Sequence, residues 1–246
     1  MNLKAMQPFR MIIAGLMFIQ MPMLIAGSTT LSVHLSKSAN ILIEKQLASS
    51  NAVAELYDYM NLESEGLSRE AFLKACQGYN QLLTKGILLR DNILTIADFS
   101  MPSSEERLFI IDLTAQKILF KSLVAHGKNS GLLYAESFSN KPETNKSSLG
   151  FYLTLNTYEG EHGVSLRLKG LEKNINDMAY DRAIVMHGAP YVSKNFTQKN
   201  GFLGRSLGCP AVPDAVAGSI IDAIKNGSLL FIYHPTKNYF TQSSIV

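Results

Sequence analysis

Cys209 sits in the stretch Gly204-Arg205-Ser206-Leu207-Gly208-Cys209-Pro210 and is one of two cysteines in 246 residues. A thiol placed there is half of a disulfide or a nucleophile. Attack on a carbonyl needs the thiolate, so the ordinary thiol pKa must be lowered by an imidazole or by oriented backbone dipoles. Gly208 lets the backbone approach a substrate and present N–H groups to a developing oxyanion, and Pro210 stiffens the chain behind the sulfur. His187 lies 22 positions upstream and ends the run Ala183-Ile184-Val185-Met186-His187-Gly188. A histidine at a strand end is held rigidly, as a general base should be. Two further histidines also precede glycine, His126-Gly127 and His162-Gly163. They read either as cleft residues or as loop histidines satisfied by backbone.

Two other chemistries compete. A Cys76–Cys209 disulfide suits an exported chain. Against it, Cys76 falls on the apolar face of an expected helix, where a free cysteine behaves as a small hydrophobe. A zinc site built from His126, His162, His187 and Cys209 would use good ligands, but no compact ligand pair such as H-x-x-x-H or C-x-x-C accompanies it. Asp181 and Arg182, just before the His187 strand, read either as orienting a substrate or, as is commoner, as an ordinary ion pair, and Tyr152, Tyr158 and Tyr191 read as strand or rim aromatics.

The elements that must position Cys209 and His187 follow from periodicity. Up to Lys85 the period is helical. One helix is expected over 41–60, and a second begins after an N-cap at Ser68 with Phe72, Leu73, Cys76, Tyr79, Leu82 and Leu83 on one face. Gly86 ends it. From residue 87 the chain turns to short β-branched and aromatic runs separated by Gly, Asn, Asp and Ser, the pattern of antiparallel strands and hairpins. Tight turns are expected within 112–118 and at Gly160–Gly163. One late helix is expected over 213–226, with Pro213 in its first turn and Val216, Ile220, Ile221 and Ile224 on one face. Gly227 closes it before a last strand. The fold class is therefore mainly β with a late helix, preceded by a small helical N-terminal region.

The first residues carry Lys4 and Arg10, then an apolar run from Met11 to about Ala26, then Gly27 and Ser28. A basic start, a short apolar stretch and a small-residue exit read as a secretory signal over 1–27. Gln20 and Pro22 interrupt the run, which is short for a span needing roughly 20 apolar residues. An uncleaved membrane tether is the alternative. The net charge is +3, of which Lys4 and Arg10 supply two, leaving +1. With charges scattered rather than blocked, nothing points to nucleic acid as a partner.

The blocks "MHGAPYVSKNF" and "GRSLGCPAVP", with "VAHGKNSG", "SSLGFYLT" and "YEGEHGVSLRLKGLE" upstream, resemble the murein L,D-transpeptidase catalytic domain family. The resemblance covers roughly residues 92–234 and leaves the helical part outside. It implies a β-rich fold and Cys–His chemistry on peptidoglycan stem peptides, with no metal or organic cofactor. Cys209 would be the nucleophile, within about 4 Å of a His187 ring nitrogen, and His187 its base. The Gly208 and Cys209 amides would form the oxyanion site, lined by Ser206, with Arg205, Gly188, His126 and His162 as substrate-binding candidates. The family's common Ser-His-Gly-Cys, with an arginine two positions later, is here Ser-Leu-Gly-Cys with Ala211. The expected reaction forms a thioester at Cys209 from a stem tetrapeptide with release of its terminal D-alanine, then transfers the acyl group to an amine, cross-linking the cell wall. An L,D-carboxypeptidase or a noncatalytic peptidoglycan-binding module is the alternative. The expected organisation is a signal at 1–27, a helical region at 28–90, the catalytic domain at 91–236 and a tail at 237–246, in a periplasmic or envelope protein.

Overall fold

The structure is a computed structural model and describes residues 49–246. The signal-like segment, and the part of the first expected helix before residue 49, lie outside the described residues. Helix α1 spans Ser50–Tyr59 and is capped by the Ser49 hydroxyl, which accepts from the Ala52 N–H. Helix α2 spans Arg69–Thr84, and Ser68 caps it as expected by accepting from the Ala71 N–H. Gly86 follows in the left-handed region at φ +66°.

Eight strands follow: β1 (Ile93–Asp98), β2 (Leu108–Asp112), β3 (Lys117–Ser122), β4 (Gly150–Gly160), β5 (Gly163–Gly170), β6 (Val185–Gly188), β7 (Ala211–Val212) and β8 (Leu229–Tyr233). They form one sheet in the order β3-β2-β1-β8-β4-β5-β6-β7. The hairpins β2–β3 and β4–β5 turn where the Gly, Asp and Thr signals placed them. Two pairings are parallel, β1 with β8 and β6 with β7, where the local pattern suggested antiparallel strands throughout. Both join strands distant in sequence, so no hairpin signal marks them. Helix α4 (Asp214–Ile224) lies between β7 and β8 in the chain and packs on β5 and β6, burying Ile220, Ile221 and Ile224.

The helices before the sheet share its core. Val53, Leu56, Phe72, Cys76 and Tyr79 belong to the same buried cluster as Phe151 and Phe231, so no break in packing falls near residue 90. Gly78 is the close contact: a Cβ there would overlap the Phe151 ring, which stacks on Phe231 at 4.1 Å. Two short helices were not foreseen, α3 (Lys194–Asn200) and α5 (Lys237–Gln242). The latter corrects the expected C-terminal tail. Its Tyr239 is buried, and the Tyr239 hydroxyl donates to the buried Glu172 carboxylate at 3.0 Å. That carboxylate also accepts from the Phe151 N–H at 2.7 Å, which ties the end of the chain to the middle of the sheet.

Candidate active site

The β6–β7 pairing brings the two expected reactive residues together. His187 is in register with Ala211, two positions after Cys209, and Gly188 with Val212. Both side chains line one cavity of about 790 Å³, together with His162, Arg182, Tyr191 and Ser206. Both cysteines are free: Cys76 is fully buried on α2, whereas Cys209 is half-buried.

The loop that bears Cys209 is held from three sides. Ser206 N–H donates to His126 C=O at 3.0 Å, and Lys128 N–H donates to Ser206 C=O at 2.8 Å. Ser147 Oγ donates to Gly208 C=O at 3.1 Å while accepting from Gly127 N–H at 3.0 Å. Ser206 Oγ closes the loop on itself, donating to Cys209 C=O at 2.6 Å and accepting from Gly208 N–H at 3.1 Å. This bond corrects the expected oxyanion pair, because the Gly208 N–H is already committed to Ser206. Gly208 is required for another reason. Its φ is +128°, and a Cβ would stand 2.9 Å from the Lys146 carbonyl oxygen.

The Cys209 sulfur accepts from the Val185 N–H at 3.5 Å and faces the Ala183 carbonyl at 3.8 Å. Burial pushes the thiol pKa up, and the Val185 N–H and the Arg182 charge oppose that rise. Arg182 does not pair with Asp181. Its guanidinium donates to Ser139 C=O at 2.8 Å, Ser148 Oγ at 2.6 Å and Lys146 C=O at 2.7 Å. The sequence marked Arg182 as a substrate-orienting or ion-paired residue but not as a cation locked in place beside the sulfur, since its acceptors come from residues 139–148.

The His187 ring donates Nδ1–H to Gly188 C=O at 2.7 Å. With that proton placed, the neutral ring carries its lone pair on Nε2, the atom able to take a proton from the thiol. Burial holds the His187 pKa below the ordinary imidazole value; the Gly188 carbonyl and Asp214 pull it up, and His162 adds to the lowering. Among the described residues no hydrogen bond joins the imidazole to the sulfur. The His187 ring instead stacks on His162, with centroids 4.5 Å apart and planes 20° from parallel.

A family model described as the L,D-transpeptidase catalytic domain matches residues 63–233. The chain belongs to that family. The match begins at residue 63 and so takes in α2, which the sequence motifs had left outside. Among solved structures, an L,D-transpeptidase from Mycobacterium smegmatis is 13% identical over 58% of this chain and 59% of its own, with a TM-score of 0.37. The helical cell shape determining protein of Campylobacter jejuni is 14% identical over 67% and 55%, with a TM-score of 0.38. An L,D-transpeptidase from Stackebrandtia nassauensis is 10% identical over 81% and 91%, with a TM-score of 0.36. The chain thus spans about three-fifths of the first of these. No curated protein matches it.

Within this family member the remaining candidates divide. His126 is corrected from cleft residue to structural histidine: it is fully buried, with Nδ1 accepting from Arg107 at 2.8 Å and Nε2 facing Gly131 C=O at 3.3 Å. Its pKa is pushed down to about 4, chiefly by burial and then by the Arg107 charge. Arg107 is itself fully buried and also donates to Val124 C=O and Met101 C=O. Gly188 is likewise corrected. It is buried outside the cavity wall, and a Cβ there would meet Asp214 Oδ1 at 2.6 Å, so glycine admits the start of α4. Arg205 lines the cavity, but its guanidinium is bonded to Lys128 C=O and Gly131 C=O, both at 3.1 Å. Tyr191, read as a rim aromatic, faces the cavity with its hydroxyl pKa pushed up to about 12 by burial. Among the described residues no three His, Cys, Asp or Glu side chains gather as a metal site.

Proposed function

We propose that the protein is a cysteine acyltransferase of peptidoglycan stem tetrapeptides in the cell envelope. The observation that carries the reading is the shared cavity: a free thiol and an imidazole with Nε2 available open onto the same space, beside a fixed guanidinium. The thiol proton passes to His187 Nε2, and the sulfur attacks the carbonyl carbon of the diamino acid at its L-centre. The oxygen that gains charge is met by the Cys209 N–H, the loop amide left after Gly208 N–H is bonded to Ser206. Collapse breaks the C–N bond. His187 returns the proton to the departing D-alanine amine, and a thioester remains on Cys209. An amine from a second stem then attacks the thioester and loses its proton to His187, the C–S bond breaks, and the sulfur is reprotonated.

Mass spectrometry of tetrapeptide muropeptides incubated with the protein, beside Cys209→Ala, tests this. Cross-linked dimers that require the cysteine are expected. Tripeptide monomers alone would make water the acceptor and the protein an L,D-carboxypeptidase. Binding without turnover would replace the enzyme with a peptidoglycan-binding module.

A further inference from the structure

The His162–His187 stack has no place in the reaction just described. His162 occupies the two-residue turn of the β4–β5 hairpin, where Gly160 pairs with Gly163 and Gly163 takes φ +72°. The hairpin tip is open, with nothing within 4 Å of a Cβ built on Gly163. From that exposed turn the imidazole lies flat on His187. The nucleophile loop offers no ring for this purpose, because Leu207 is an exposed aliphatic and Ser206 is consumed within the loop. We propose that His162 is a positioning residue that holds the plane and the protonation state of the His187 base.

This rests on the acyltransferase reading for its catalytic consequence, though not for its geometry. One hydrogen bond, from Nδ1–H to Gly188 C=O, anchors a single edge of the buried His187 ring, so its tilt about that edge is set by what packs against its faces. A second ring at stacking distance removes the tilt and keeps Nε2 facing the cavity. The stack also bears on charge. Two imidazoliums at this spacing repel, so the pair favours a neutral His187, the form able to accept the thiol proton. Burial is the main cause that disfavours the charged form; the Gly188 carbonyl and Asp214 from α4 favour it, and His162 adds to the lowering. Cys209, Arg182, Tyr191, Arg205 and Glu161 share the cavity with the ring.

The test uses three readouts on the full chain with His162→Ala and His162→Phe. In the free protein, NMR titration of the His187 ring should show a higher pKa in both variants than in wild type. In turnover of tetrapeptide muropeptides, His162→Ala should lose about ten- to a hundredfold in kcat, the scale of a misplaced catalytic group, with KM within twofold. His162→Phe keeps a flat ring and should recover most of that loss, with the acid limb of its kcat profile moved to higher pH. An unchanged His187 titration overturns the proposal whether or not the protein turns over muropeptides. An increase in KM at constant kcat would make His162 a substrate contact instead. Failure of His162→Phe to recover kcat would assign the effect to the imidazole's own chemistry and also overturn the positioning role. Absence of turnover in wild type would sink the acyltransferase reading and leave the titration to decide the stack.

Discussion

Replacing Gly208 by alanine probes how rigidly the loop that bears Cys209 is built. Two penalties combine at this residue. The first is conformational, because φ +128° lies in a region that L side chains rarely enter, at about 1–3 kcal/mol. The second is a collision. The new Cβ would stand 2.9 Å from the Lys146 carbonyl oxygen and 3.1 Å from Ile184 Cδ1. The isoleucine methyl can rotate away, but the carbonyl is backbone and is held by Arg182 at 2.7 Å. Overpacking of this kind costs roughly 1–3 kcal/mol, so Gly208→Ala should destabilise by roughly 2–6 kcal/mol. Relief by loop movement would carry Cys209 with it, and a 1 Å shift of a reacting group costs about 100-fold in rate. The control is Gly201→Ala at the end of α3, where φ is +80° and nothing lies within 4 Å of a built Cβ. Urea denaturation and the rate of Cys209 alkylation by iodoacetamide report the two effects separately. If Gly208→Ala were no more destabilised than Gly201→Ala and its cysteine were alkylated at the wild-type rate, the account of this loop would be wrong.

Three further outcomes are expected. Arg182→Met should move the alkylation profile of Cys209 to higher pH, since the guanidinium opposes the burial that raises the thiol pKa, and Arg182→Lys should recover part of the shift; an unmoved profile would remove Arg182 from the site. Folded His126 takes up its proton near pH 4 and the unfolded chain near 6.5, so the unfolded state binds more protons between those values. Stability should therefore fall as pH drops from 6.5 towards 4, by on the order of 3 kcal/mol, and urea titrations of His126→Gln should lack that slope. Tyr239→Phe removes a donor from the buried Glu172 carboxylate and should cost about 1–3 kcal/mol in urea denaturation, whereas an undocked tail would cost nothing.

Cys209 and His187 were legible as candidates because their residue types are uncommon here and their local context is strict: a cysteine between glycine and proline, and a histidine ending a strand. The helices were legible where capping and periodicity agreed, as at Ser68 and along the Ile220, Ile221 and Ile224 face. What stayed hidden was long-range. Ser147 bonds the loop that bears Cys209, and Arg182 is fixed on residues 139–148, contacts that no local pattern announces. His126 looked like His162 because each precedes a glycine, yet Arg107 and Gly131 enclose one in the core while a hairpin turn lifts the other to the cavity. Leu207 and Ala211, which depart from the common motif, gave no hint that a guanidinium would arrive beside the sulfur from the chain before β6.

The two-residue strand β7 has a consequence for how a peptide can be recognised. It ends the sheet beside Cys209, where an open edge would offer a template for an incoming strand. That edge is already taken: the Ala125 N–H donates to Ala211 C=O at 2.8 Å, and Pro210 and Pro213 bracket the strand without N–H groups. A substrate therefore finds no ladder to extend. Selection at this site falls to the cavity walls.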